Sequence, residues 1–111
     1  MAILSSHLLN SVNGTHASGV KVIINQINSS GIKKKIFETQ TDDGGRILKE
    51  FELSNEDCAS EYEMICKTAD YFSEKKIISE IVIKFKMEDP KKKYHLPIII
   101  SPNGYSIWWS E

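Results

Sequence analysis

Polar and apolar residues alternate with a period of two over most of this chain, and short turn-forming runs interrupt the alternation. Val20, Val22 and Ile24 alternate with Lys21, Ile23 and Asn25, which predicts a half-buried strand. Asn28-Ser29-Ser30-Gly31 breaks it, and residues 35–41 read as the next strand. Asp42-Asp43-Gly44-Gly45 is a strong turn signal, and residues 46–51 form the strand that follows. Tyr62, Met64 and Cys66 alternate with Glu61, Glu63, Ile65 and Lys67 in another. The period then changes: Thr68 fits a helix N-cap, and Tyr71, Phe72 and Lys75 share one face of a short helix over residues 69–76. Ile81, Ile83, Phe85 and Met87 against Val82, Lys84, Lys86 and Glu88 give the clearest amphipathic strand, ended by Asp89-Pro90.

The last strand pair is different in kind. Residues 94–101 are apolar on both faces, as a strand inside a sandwich or under another subunit would be. The chain turns at Ser101-Pro102-Asn103-Gly104 and returns as a short aromatic strand. With residues 4–9 as the first strand, the count is seven or eight strands and one short helix. Regular spacing with turn signals predicts an all-β, two-sheet antiparallel sandwich, one domain over residues 1–111, with no internal repeat or linker. Ile98-Ile99-Ile100 and Ile107-Trp108-Trp109 are hard to hide in one small sandwich, so an oligomer is expected.

Composition narrows the function classes. The 111 residues are 41% hydrophobic and 26% charged, ordinary for a soluble globule able to bury a core without disulfides. A formal charge of −1 argues against a duplex-binding surface. Lys33-Lys34-Lys35 and Lys91-Lys92-Lys93 are read as solvated loops beside turns. No apolar run is long enough to span a membrane, and the start lacks the basic and apolar regions of a signal peptide. Cytoplasm is therefore the expected location. Cys58 and Cys66 lack metal-type spacing and are expected to stay reduced. Neither a metal site nor a nucleotide cofactor has a motif to support it, and none is expected.

Three side chains carry possible chemistry, each with a bland reading beside it. His7 sits among Leu4, Leu8 and Leu9, where a lone histidine is most often structural. Arg46 follows a turn and, alone, reads as a solvated charge. His95 precedes Leu96-Pro97, where proline removes a backbone donor and keeps the chain extended. His16, in the Gly14-Thr15-His16 turn, is expected to be exposed and without a role. Nothing in the residues themselves brings the three together.

A resemblance does. Ser6-His7-Leu8-Leu9-Asn10, Gly19-Val20-Lys21-Val22, Thr41-Asp42-Asp43-Gly44-Gly45-Arg46, Thr68-Ala69-Asp70-Tyr71-Phe72 and the block from Tyr94 to Ser106 resemble the transthyretin-like family. Within it, the three polar matches resemble the branch of 5-hydroxyisourate hydrolases of urate breakdown. The resemblance implies a homotetramer whose sandwiches join edge to edge and then stack, leaving a channel. It implies an active site at the dimer–dimer contact, lined by His7, Arg46 and His95 and by a C-terminal Tyr-Arg-Gly-Ser. The implied reaction is hydrolytic opening of the six-membered ring, without cofactor or metal.

The expected roles are water activation by His95 and His7, which histidine acts as base being left open, and docking of an anionic ring by Arg46. The tail departs from the pattern: Trp108-Trp109-Ser110-Glu111 replaces the tetrapeptide, with Trp108 the expected ring contact. Trp109 removes a cation and Glu111 adds an anion at what the resemblance makes the rim of the site. Two alternatives follow from the tail: a non-catalytic binding protein for a flat aromatic ligand, and a structural oligomer whose tryptophans only seal a contact.

Overall fold

A computed structural model describes residues 1–110 as two packed sheets. The strands are β1 (Ala2–Asn10), β2 (Thr15–His16), β3 (Lys21–Ile27), β4 (Lys33–Gln40) and β5 (Arg46–Phe51), then β6 (Glu61–Cys66), β7 (Ile81–Lys86), β8 (Lys93–Ser101) and β9 (Gly104–Ile107). Two short helices, α1 (Asn55–Ala59) and α2 (Thr68–Tyr71), flank β6. One sheet runs β2-β1-β8-β9, with β5 also paired to β1, and the other runs β4-β3-β6-β7. The architecture is the expected sandwich, and all pairs are antiparallel except β1 with β8, which run parallel. Because β1 and β8 are distant in sequence, that parallel pair needs no tight turn.

Period-two patterning decides which faces are buried. Along β1 the buried positions alternate: Ala2, Leu4, Ser6, Leu8 and Asn10 point inward, while Ile3, Ser5, His7 and Leu9 lie on the outer face. Ser6 is tolerated inside because its hydroxyl donates to the Leu96 carbonyl at 2.6 Å. Val22 and Ile24 from β3, Met64 from β6, and Ile98 and Ile100 from β8 close the core. Tyr62 is fully buried with its hydroxyl donating to the Asp57 carbonyl at 2.8 Å.

Several local expectations change. The chain has a second helix, α1, which strand spacing did not suggest. Its signal is a capping box in which Ser54 accepts from the Asp57 amide and Asp57 accepts from the Ser54 amide. In α2, Thr68 is the first helical residue instead of the cap; Lys67 holds the cap position, and the helix ends at Tyr71. The Thr68 hydroxyl is buried without a hydrogen-bond partner among the described residues. Lys33 and Lys35 belong to β4, not to a loop, and pair with Glu63 and Glu38, each at 2.9 Å. Lysines suit β4 because it is the edge of its sheet. Cys58 and Cys66 are free thiols, and burial pushes the Cys66 thiol up to about 12.

The turn before β5 is tightly constrained. The Asp42 carboxylate accepts from the amides of Gly44 at 3.0 Å and Arg46 at 2.8 Å. Gly45 has φ +74°, and a Cβ there would stand 2.5 Å from the Leu8 carbonyl oxygen. The same residue's carbonyl accepts from the Leu8 amide at 2.8 Å, which docks the turn on β1. Replacing Gly45 by Ala should cost at least about 2 kcal/mol, from left-handed strain plus a backbone clash. Gly44→Ala, with only the Asp42 carboxylate near at 3.5 Å, should cost far less. Urea unfolding of the two variants measures the difference.

Candidate active site

Strand register brings the three predicted side chains together. Arg46 stands directly across from His7 in the antiparallel β1–β5 pair. Ser5, two residues before His7, stands across from His95 in the parallel β1–β8 pair. Paired residues project to the same face, so His7, Arg46 and His95 all lie on the outer face of one sheet. Ser5 fixes His95 through a 2.8 Å contact between its hydroxyl and the ring Nδ1. A cavity of about 310 Å³ opens beside them, lined by Ser5, Asp42, Arg46, Leu48 and His95 among others. His95 and Arg46 face this cavity, whereas His7 stands next to it.

His16 is the residue that sequence reasoning missed. It is exposed, as expected, but β2 pairs it with Leu9 and so returns it to the outer face. Its Nδ1 lies 2.9 Å from His7 Nε2, one nitrogen donating to the other, and the rings stack with centroids 5.0 Å apart at 30°. The only signal in the sequence is the turn at Asn13-Gly14, which folds a two-residue strand back on β1.

A model of the HIUase/Transthyretin family matches residues 4–109. The chain belongs to this family. A Salmonella typhimurium protein named 5-hydroxyisourate hydrolase is 33% identical over 109 residues, covering 96% of this chain and 79% of that protein. Transthyretin from Sparus aurata has a TM-score of 0.84 at 22% identity and 96% and 95% coverage. The crystal structure of (S)-allantoin synthase has a TM-score of 0.82 at 23% identity; this chain is covered to 99% but spans only 44% of that one. The two structures share the fold.

The tail that follows β9 touches the site less than the resemblance implies. Past β9, the Trp108 amide donates to the Pro97 carbonyl at 3.4 Å and the Ser110 amide to the His95 carbonyl at 2.9 Å. Successive side chains therefore alternate faces. Trp108 falls on the outer face with the histidines, its residue 46% exposed. Trp109 goes to the other side, lining a separate cavity of about 460 Å³ with Phe85, Tyr94 and Leu96, and Lys92 lies 4.7 Å over its ring. Neither tryptophan lines the His95 cavity, Trp108 sharing only its face of the sheet, and Glu111 lies outside the described residues.

The electrostatics favour a neutral His7. Partial burial lowers its pKa below 6.5, the Arg46 guanidinium, His16 and His95 lower it further, and a hydrogen bond with the Gly44 backbone works the other way. Among the described residues, no group of three His, Cys, Asp or Glu side chains has the geometry to hold a metal ion. Because the unfolded chain protonates His7 near ~6.5 and the folded chain only below that, the associated stability is complete above ~6.5 and is lost as pH falls. Melting midpoints recorded from pH 7.5 to 5.5 should therefore fall more steeply in wild type than in His7→Gln.

Proposed function

We propose that this chain hydrolyses 5-hydroxyisourate, opening its six-membered ring to the ureido-imidazoline product. The observation that carries the reading is the convergence of His7, Arg46 and His95 on one sheet face, from three neighbouring strands. Similarity to the Salmonella hydrolase supports it.

The residues supply what a ring-carbonyl hydrolysis needs. His95 is the base: Ser5 occupies Nδ1, leaving Nε2 to take a proton from water in the adjoining cavity. Water adds to the ring carbonyl, the ring C–N bond breaks, and the proton passes to the departing nitrogen. Arg46 docks the electron-rich ring with its planar fork and stabilises the developing oxyanion. His7, held neutral beside Arg46, leaves the guanidinium as the cation that meets the substrate. Trp108 stacks on the flat ring, an indole serving as well as a phenol.

The site is completed by other copies of the chain. Leu48 and Ile99 share the outer face with Trp108 and are exposed, Leu48 to 64%. Such a patch calls for a covering surface, and stacking of two dimers into a homotetramer would provide it and enclose the site. The exposed Trp108 indole also favours a second reading, a non-catalytic binding protein for a flat aromatic ligand.

The test generates 5-hydroxyisourate in place from urate and a urate oxidase and follows its ultraviolet decay. Wild type should accelerate decay over buffer, and His95→Ala and Arg46→Ala should each lose roughly 10²-fold or more. Arg46→Lys should lose most of the docking effect despite its charge, and wild-type kinetics there would remove that role. Trp108→Tyr should retain or raise hydrolysis. Decay no faster than buffer from a verified tetramer would overturn the hydrolase reading, and binding of flat aromatics lost in Trp108→Ala would then establish the second.

A further inference from the structure

The three histidines of the chain are all on one sheet face, yet the chemistry above uses only two of them. His16 comes from β2, an exposed two-residue strand, so its ring is not needed to fill a core. It nevertheless makes a specific contact: Nδ1 to His7 Nε2 at 2.9 Å, with the rings stacked. A solvated surface imidazole has no cause to adopt that arrangement unless its neighbour orients it. The converse also holds, since His7 meets no other side chain through that nitrogen among the described residues. We propose that His16 is a positioning residue for the hydrolysis, holding the His7 ring in one orientation and one protonation state through the paired imidazole nitrogens.

This inference rests on the hydrolase reading and gives His7 a defined support. Every group facing His7 acts in the pair. Arg46 from β5, His95 from β8 and His16 from β2 all disfavour a charged His7 ring, while the Gly44 backbone favours it. Asp42, the nearby carboxylate of the turn, spends Oδ1 on the amides of Gly44 and Arg46. Across a 2.9 Å contact, a charge on His16 disfavours one on His7. A His7 that is neutral and fixed keeps a second positive charge from forming beside Arg46 while His95 takes the proton.

The experiment compares wild type with His16→Phe and His16→Asn in the intact oligomer. Phenylalanine keeps the stacked ring but removes the nitrogen contact and the charge. Asparagine keeps a hydrogen-bonding group without the charge. Two quantities are read: the His7 titration midpoint by imidazole NMR, assigned with His7→Gln, and kcat and KM from 5-hydroxyisourate decay. In His16→Phe the His7 midpoint should rise toward ~6.5, and kcat should fall roughly 10-fold with little change in KM, a fraction of general acid–base support. In His16→Asn kcat should recover while the midpoint stays raised. Melting curves should match wild type, because the His16 ring is exposed. An unmoved His7 midpoint, or unchanged kcat in His16→Phe, overturns the proposal. If wild type shows no hydrolysis, the hydrolase reading fails by itself, and the His7 midpoint still decides whether His16 controls the ring.

Discussion

The parallel ladder between β1 and β8 is the constraint on which the site depends. It runs from Ile3 opposite Lys93 to Asn10 opposite Ile100 and sets Ser5 beside His95. Because side chains alternate, a slip of one residue would turn His95 inward and a leucine or isoleucine outward. The slip is prevented by burial: Leu4, Leu8, Ile98 and Ile100 are all fully buried and admit one phase only. The hydrophobic effect thus fixes a polar geometry that it does not itself involve. Ser6, inward and bonded to the Leu96 carbonyl, adds a directional lock to the same ladder.

The second constraint is the turn that delivers Arg46. An arginine opposite a histidine is electrostatically unfavourable once the histidine is charged, so local structure must hold the pair together. The Asp42 carboxylate organises the turn amides, and Gly45 lets the backbone press against Leu8. That close approach orders the residues around His7: Arg46 across from it, the Gly44 backbone at its ring and His16 stacked against it. A rigid turn thereby holds a partly buried imidazole among positive groups, and burial first, then those charges, keep it neutral. Stability and site chemistry draw on the same few contacts here.

The tail shows how strand geometry filters a change in sequence. Read as a block, Trp108-Trp109-Ser110-Glu111 places two large aromatic rings where the resemblance expects the rim of the site. Strand-like continuation past β9 sends Trp108 and Trp109 to opposite faces, so one indole lies on the face of the histidines and the other lines a cavity on the opposite side. The change of face at each residue keeps Trp109 off the outer face that carries the histidines.

Much of this protein was legible in its residues. The period-two runs marked the strands that build both sheets, Asp42-Asp43-Gly44-Gly45 marked the critical turn, and the motifs around His7, Arg46 and His95 marked the family. Local patterns suffice there because alternation and turn chemistry are properties of neighbouring residues. Helix α1 was legible too, in the Ser54–Asp57 capping box, but the strand rhythm masked it. The parallel pairing of β1 with β8, the contact of His16 with His7, and the parting of the two tryptophans were decided only by tertiary structure. Each depends on residues far apart in the chain, or on which face of a sheet meets the core, and no local sequence pattern encodes those distances.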